Sequence, residues 1–177
     1  MNSHSSCSPT ASEPSALSWE SRNRILTSAL RYLGLDIGAK RIGIAVSDGL
    51  GLTVQPVLTL EVHRNRRDDL RSIARLARRY SVAGIVVGNP LQLSGDAGPR
   101  ALKTQQFAAE LGELTGLPIH LWDERLTTRE AHQLLYEAGH ARQDHKRVVD
   151  QVAAVLILQS FLDERRGKEG RRDEGTK

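Results

Sequence analysis

The chain of 177 residues has one cysteine, Cys7, one methionine and only seven aromatic side chains. A single cysteine excludes an intramolecular disulfide framework, and the six histidines show no spacing that would make a zinc site. No stretch approaches the roughly 18 uninterrupted apolar residues of a membrane-spanning helix. The expectation is therefore a cytoplasmic protein with no membrane partner. Nor does one sign of charge dominate: 25 Lys and Arg stand against 21 Asp and Glu, a net charge of +4. That balance is compatible with a polyanionic partner without requiring one. With 39% hydrophobic residues, the length suffices for one domain with a real core and would be cramped for two.

The ends of the chain differ from its middle. Residues 1–31 are Ser-rich, lack periodicity and read as a disordered extension, with a short amphipathic helix around Trp19–Leu30 as the alternative. They show no basic segment followed by an apolar run, so no secretory signal is expected. Residues 163–177 read as a charged, disordered tail. Between them, residues 32–162 hold 16 Lys and Arg against 14 Asp and Glu. This domain is nearly neutral, so a polyanion would have to be gripped by local charge.

Within 32–162 the pattern predicts an α/β fold. Tyr32–Ile37 and Arg41–Ser47 are β-prone runs joined by a tight Gly38-Ala39-Lys40 turn. Thr53–Leu60 is a third strand whose Pro56 suits an edge or a bulge. Asp68–Tyr80 carries Leu70, Ile73, Ala74 and Ala77 at helical spacing. Val82–Val87 reads as a buried central strand. A helix over Ala101–Thr115 stopped by Gly116 follows, then a strand over Leu117–Trp122. Thr127–Ala138 is a third helix with a capping box of Thr127 and Glu130 and a stop at Gly139. A last helix spans His145–Leu162, capped by Asp144. Three antiparallel-linked strands followed by alternating helices and strands give a five-stranded mixed sheet flanked by helices.

Three acidic positions carry the chemical signal. Asp36 lies near the end of the first strand, followed by glycines at 38 and 43 that let the backbone turn and leave room for a ligand beside it; a turn acid bonded to local amides is the alternative. Asp123 and Glu124 close the fifth strand, where ligands bind in open α/β sheets. Adjacent strand residues point opposite ways, so one faces the site and the other supports it. A helix-dipole role is the alternative for that pair. Asp150 shares an apolar helical stripe with Ala153, Ala154, Ile157 and Phe161, which is costly without compensation. Lys146 or Arg147 one turn back could supply it, or a bound metal. Clustered carboxylates suit Mg²⁺ or Mn²⁺, and a two-metal phosphodiesterase needs such acids to neutralise its ions.

Four motifs, DIGAKRIG at 36–43, Gly88-Asn89-Pro90-Leu91, DERLTT at 123–128 and VDQVAA at 149–154, resemble the YqgF family, also called RuvX-like. Its members are described as Holliday junction resolvases and as pre-16S rRNA nucleases. The resemblance covers essentially all of 32–162. It implies a ribonuclease H-like fold, with Asp36, Glu124 and Asp150 as catalytic and metal-binding acids and Asp123 in support. It also implies a metal-dependent nuclease processing the 5′ end of pre-16S rRNA, with structured RNA, branched DNA or ribosomal precursor particles as partners. Asn89 departs from the pattern, which often has an apolar residue there. The opening motif also resembles the phosphate-binding hairpin of sugar kinases and actin-like ATPases, but a core of 131 residues cannot form their two-domain cleft. A non-catalytic RNA-binding module on the same fold is a further alternative. The expected state is a monomer or weak homodimer; junction resolution in DNA repair, the alternative activity, would favour a two-fold dimer because it makes two symmetric nicks.

Two sets of cations accompany the acids. Arg64, Arg66, Arg67, Arg71, Arg75, Arg78 and Arg79 make the first helix and its lead-in basic, and Arg67, Arg71, Arg75 and Arg78 share one face for phosphate contact, or simply for solvent. Lys40, Arg41, Arg125, Lys146 and Arg147 each flank one of the three acids and are placed to orient a phosphate or offset developing charge. Gly38 supports the turn beside Asp36. Pro90–Pro99 is a candidate substrate-covering loop or a plain surface connection, and His145 a candidate for proton transfer or a plain helix-start residue.

Overall fold

A computed structural model describes residues 30–92, 94–124 and 143–173. Its elements are β1 (Tyr32–Ile37), β2 (Arg41–Ser47), β3 (Val54–Glu61), α1 (Arg66–Arg79), β4 (Gly84–Asn89), α2 (Pro99–Thr115), β5 (Ile119–Asp123) and α3 (Gln143–Asp173). The strands form one sheet in the order β3-β2-β1-β4-β5. β2 pairs antiparallel with both β1 and β3, while β4 pairs parallel with β1 and β5 parallel with β4. The mixed sheet and its element order agree with expectation. Pro56 does sit on an edge strand, and the ladder slips opposite it between Ile44 and Ala45.

Alternation along the strands divides the interior in two. Leu33, Leu35, Ile42, Ile44, Ile85 and Val87 point to one face and pack beneath α1 and α2, against Ile73, Ala77, Phe107 and Leu111. Tyr32, Ala45 and Val86 point to the other face and meet Ala154, Ile157, Leu158 and Leu162 of α3. β4 is buried along its whole length, as its uninterrupted apolar run requires. Among the described residues no helix is long and apolar enough to cross a membrane.

Glycine sets the distance between α3 and the sheet. A Cβ on Gly43 would stand 1.9 Å from the carbonyl oxygen of Asp150, and one on Gly34 would stand 2.7 Å from the Leu158 Cβ and 2.9 Å from the Ala154 carbonyl oxygen. The helix backbone thus occupies the space beside Gly43 that the sequence suggests for a ligand.

Local signals shift several boundaries. α1 starts at Arg66 instead of Asp68 because Asn65 caps it, accepting the Arg67 backbone N–H at 3.2 Å. Asp69, one turn in, is 1% exposed; it accepts the His63 backbone N–H at 3.1 Å and pairs with His63 Nδ1 at 2.6 Å. α2 starts at Pro99 and ends at Gly116, which has φ 67° and donates to the Gly112 carbonyl. α3 departs most from expectation: it starts at Gln143, so Asp144 lies inside it, and it continues to Asp173 instead of stopping at Leu162. The supposed tail up to Asp173 is helical. Gln159 donates to Asp163 at 3.0 Å, Asp163 pairs with Arg166, and Glu164 pairs with Lys168 at 2.5 Å. Arg165 reaches back to the Tyr32 hydroxyl and stacks over its ring. The helix expected over Thr127–Ala138 and the extension up to residue 29 lie outside the described residues.

Two glycines of α3 and its seat should respond in opposite directions. Gly43→Ala should destabilise the protein by about 3 kcal/mol, because backbone must move. Gly167→Ala, with nothing within 4 Å of its Cβ, should stabilise it by about 0.5–1 kcal/mol. Urea denaturation of both variants checks the pair.

Candidate active site

The site is built on the face of the sheet that carries α3. Asp36 occupies the next-to-last position of β1, directly opposite Gly43 of β2. Leu35 is in register with Val87 of β4, which brings Gly88 alongside Asp36. Glu124 follows β5 and lies against this bare backbone: a Cβ on Gly88 would stand 2.8 Å from Glu124 Oε1 and 2.6 Å from Ile157 Cδ1. Gly88 is therefore the seat of the Glu124 carboxylate.

The placement is electrostatically expensive. Burial first, then the negative charge of Asp36 and that of Asp123, push the Glu124 carboxyl up from its usual range to about 7, with Arg100 pulling in the opposite direction. Asp36 and Glu124 form a like-charged, partly desolvated pair that a proton or a cation relieves. Hard oxygen donors with excess negative charge are the donor set that Mg²⁺ or Mn²⁺ takes, so the pair fits such an ion.

Asp150 stands nearby but is engaged elsewhere. Its backbone carbonyl covers Gly43, the cross-strand partner of Asp36, and its carboxylate accepts from Arg41 Nε at 2.5 Å. A compensating cation comes from β2; the side chains of Lys146 and Arg147, the candidates one turn back, lie outside the described residues. Arg41 and Gly43 lie two residues apart on one strand, so the same face that admits the helix backbone also supplies its counter-charge. Among the described residues, no group of three or more His, Cys, Asp or Glu side chains is arranged to hold a metal. The structure thus brings Asp36 and Glu124 together and sets the Asp150 carboxylate on Arg41.

The other singled-out residues fall into three groups. Asp123 is in register with Asn89 and lends charge to Glu124; Asn89 is itself buried, its side-chain oxygen accepting from Gln105 at 3.4 Å. Gly38 shapes the turn, its N–H donating to the Arg41 carbonyl, and the Lys40 carbonyl accepts from Val62. Arg67, Arg71, Arg75 and Arg78 are exposed on α1, which packs on the opposite face of the sheet from Asp36. Arg125 and the side chains of His145, Lys146 and Arg147 lie outside the described residues.

A family model described as RuvX, Holliday junction resolvase, matches residues 30–164. The chain belongs to the RuvX family. Similar relatives include proteins named "Putative pre-16S rRNA nuclease" from Pelotomaculum thermopropionicum and Moorella thermoacetica. The first is 46% identical over 134 residues, covering 76% of this chain and 87% of the relative. The second is 46% identical over 141 residues, covering 80% and 99%. Among solved structures, T. thermophilus RuvC in complex with a Holliday junction substrate aligns with a TM-score of 0.52 at 13% identity, over 78% of this chain and 96% of that one. That likeness concerns the fold, which is ribonuclease H-like.

In this RuvX chain two contributors escaped the sequence reading. Arg100, at the start of α2, bears on Glu124 across the sheet edge and had no motif to mark it. Gly88 figured only as part of the Gly88-Asn89-Pro90-Leu91 motif, with no role beside the acids, although a glycine closing a fully buried apolar run was itself a sign that something approaches there.

Because the folded state holds the Glu124 proton to higher pH than the unfolded chain does, stability should fall as pH rises from about 4.5 to about 7 and level off above. In chelator-treated protein Glu124→Gln should therefore be more stable than the parent at pH 8, by roughly 2–3 kcal/mol, and equal to it near pH 4.5. Melting curves at the two pH values decide this. A constant offset would mean that Glu124 is not charged at a cost in the folded state.

Proposed function

We propose that this protein is a metal-dependent nuclease that hydrolyses phosphodiester bonds in structured nucleic acid, and that its substrate is the 5′ end of pre-16S rRNA in the cytoplasm. The observation that carries the reading is the Asp36–Glu124 pair at the ends of β1 and β5, two like-charged carboxyls brought together at the sheet edge where α/β folds place their ligands. The names of the relatives support the choice of rRNA.

Asp36 and Glu124 would hold Mg²⁺ or Mn²⁺. A divalent ion there supplies an activated water and positive charge for the phosphate oxygens. The protein does the positioning. Gly88 seats Glu124, β1 fixes Asp36, and the Arg41–Asp150 pair locks α3 over the site while keeping a guanidinium beside it. Asp123 and Arg100 tune the Glu124 carboxyl from opposite sides. Ribosomal precursor particles would be the setting and a monomer or weak homodimer the working form. Junction resolution in DNA is the second reading, favoured by the description of the matching family model.

Incubation of the protein with precursor rRNA and with a four-way DNA junction, each with and without Mn²⁺, separates these readings. Cleavage of the rRNA only when Mn²⁺ is present is expected. Asp36→Asn should lower it by about 10²–10³ without lowering the melting temperature. Undiminished turnover in that variant would remove Asp36 from the chemistry. Binding of the rRNA without cleavage under any condition would leave a non-catalytic RNA-binding module.

A further inference from the structure

A groove of about 700 Å³ lies on the other side of the β1–β2 turn from the carboxylate pair. Its walls are the turn itself, the lead-in to α1 and the first half of α2. Four cations line it, Arg64, Arg66, Arg100 and Lys103. The one lining acid, Asp69, is buried and covered by His63. Clefts of similar size along α1 are different: the one lined by Arg71, Arg75 and Arg78 also holds Asp68, and the one lined by Arg67 and Arg71 holds Glu110 and Glu113. Among the described residues the groove thus sets four cations against one acid, where those clefts set three against one and two against two. α2 adds to it, starting without a side-chain cap and with no acid in its first turn, so the positive end of the helix meets the same space.

The lining also has an apolar part. Ile37, Val62 and Phe107 contribute to it. The Arg66 guanidinium lies over the Phe107 ring, 5.4 Å from its centroid, and is braced by Glu110 at 3.3 Å. Its side chain remains 37% exposed, so it presents a fixed flat plane. A cationic track with apolar patches and a planar stacking surface suits a strand whose bases are splayed out, since a duplex would offer the apolar lining only phosphates. The groove also leads to the chemistry: Ile37 and Gly38 directly follow Asp36, and Arg100 acts on Glu124.

We propose that this groove seats a single-stranded segment of the nucleic-acid substrate, with Arg64 and Lys103 on its phosphates and Arg66 against a base, leading the chain across the end of β1 to Asp36 and Glu124. The assignment rests on the nuclease reading for its direction, but the binding itself is testable without catalysis.

The test uses full-length protein carrying Asp36→Asn, in chelator, with two fluorescent RNA hairpins, one blunt and one with a single-stranded tail. Arg64→Ala with Lys103→Ala should lower the salt slope of log Kd by about 1.4 for the tailed hairpin, about 0.7 per lost contact, and leave the blunt hairpin unchanged. Arg71→Ala with Arg75→Ala serves as a control of equal charge. Equal losses on both hairpins, an unchanged slope, the same tail-selective loss in the control, or no binding of either RNA would each overturn the groove. Tail-selective loss in a protein that never cleaves rRNA would uphold the groove and discard the nuclease.

Discussion

Three absent methyl groups hold this architecture together. Gly34, Gly43 and Gly88 all face α3, on three adjacent strands, and the helix or its neighbour Glu124 fills the space a side chain would take at each. That close approach places Asp150 over the partner of Asp36, brings Ile157 against Gly88, and lets Arg41 reach a carboxylate 109 positions away in sequence. A helix held farther off by ordinary side chains would bury fewer apolar atoms and would leave the acids without fixed positions.

The arrangement at Glu124 shows how such packing is turned to electrostatic use. A carboxylate pressed onto bare strand backbone loses water, and a second acid beside it makes full ionisation costly. The cost recurs as affinity for whatever positive species enters. Arg41 and Asp150, by contrast, neutralise each other and hold the helix. The same cleft thus contains one ion pair of opposite charges and one pair of like charges.

Much of the fold was legible because its signals are local. The Gly38–Lys40 turn, the continuous burial of β4, the edge placement of Pro56 and the stop at Gly116 each follow from a few neighbouring residues. Asp36 was legible for the same reason, an acid set among glycines at a strand end. What escaped depends on tertiary contact. Arg41, which pairs with Asp150, comes from β2, and no helical spacing rule could have reached it. The extension of α3 past Leu162 draws on charge pairs one turn apart and on the Arg165–Tyr32 contact. A polar composition alone resembled a tail. The arginines of α1 were conspicuous by number, yet their position beneath the far face of the sheet depends on which side of the ladder α1 packs.

The outer strand β3 carries one more implication. Pro56 lacks an amide hydrogen, and the ladder shifts register beside it. Backbone pairing of a second protein molecule along this edge is thereby disfavoured. A two-fold assembly would therefore have to pair strands at β5, the opposite edge of the sheet, or be joined through side chains.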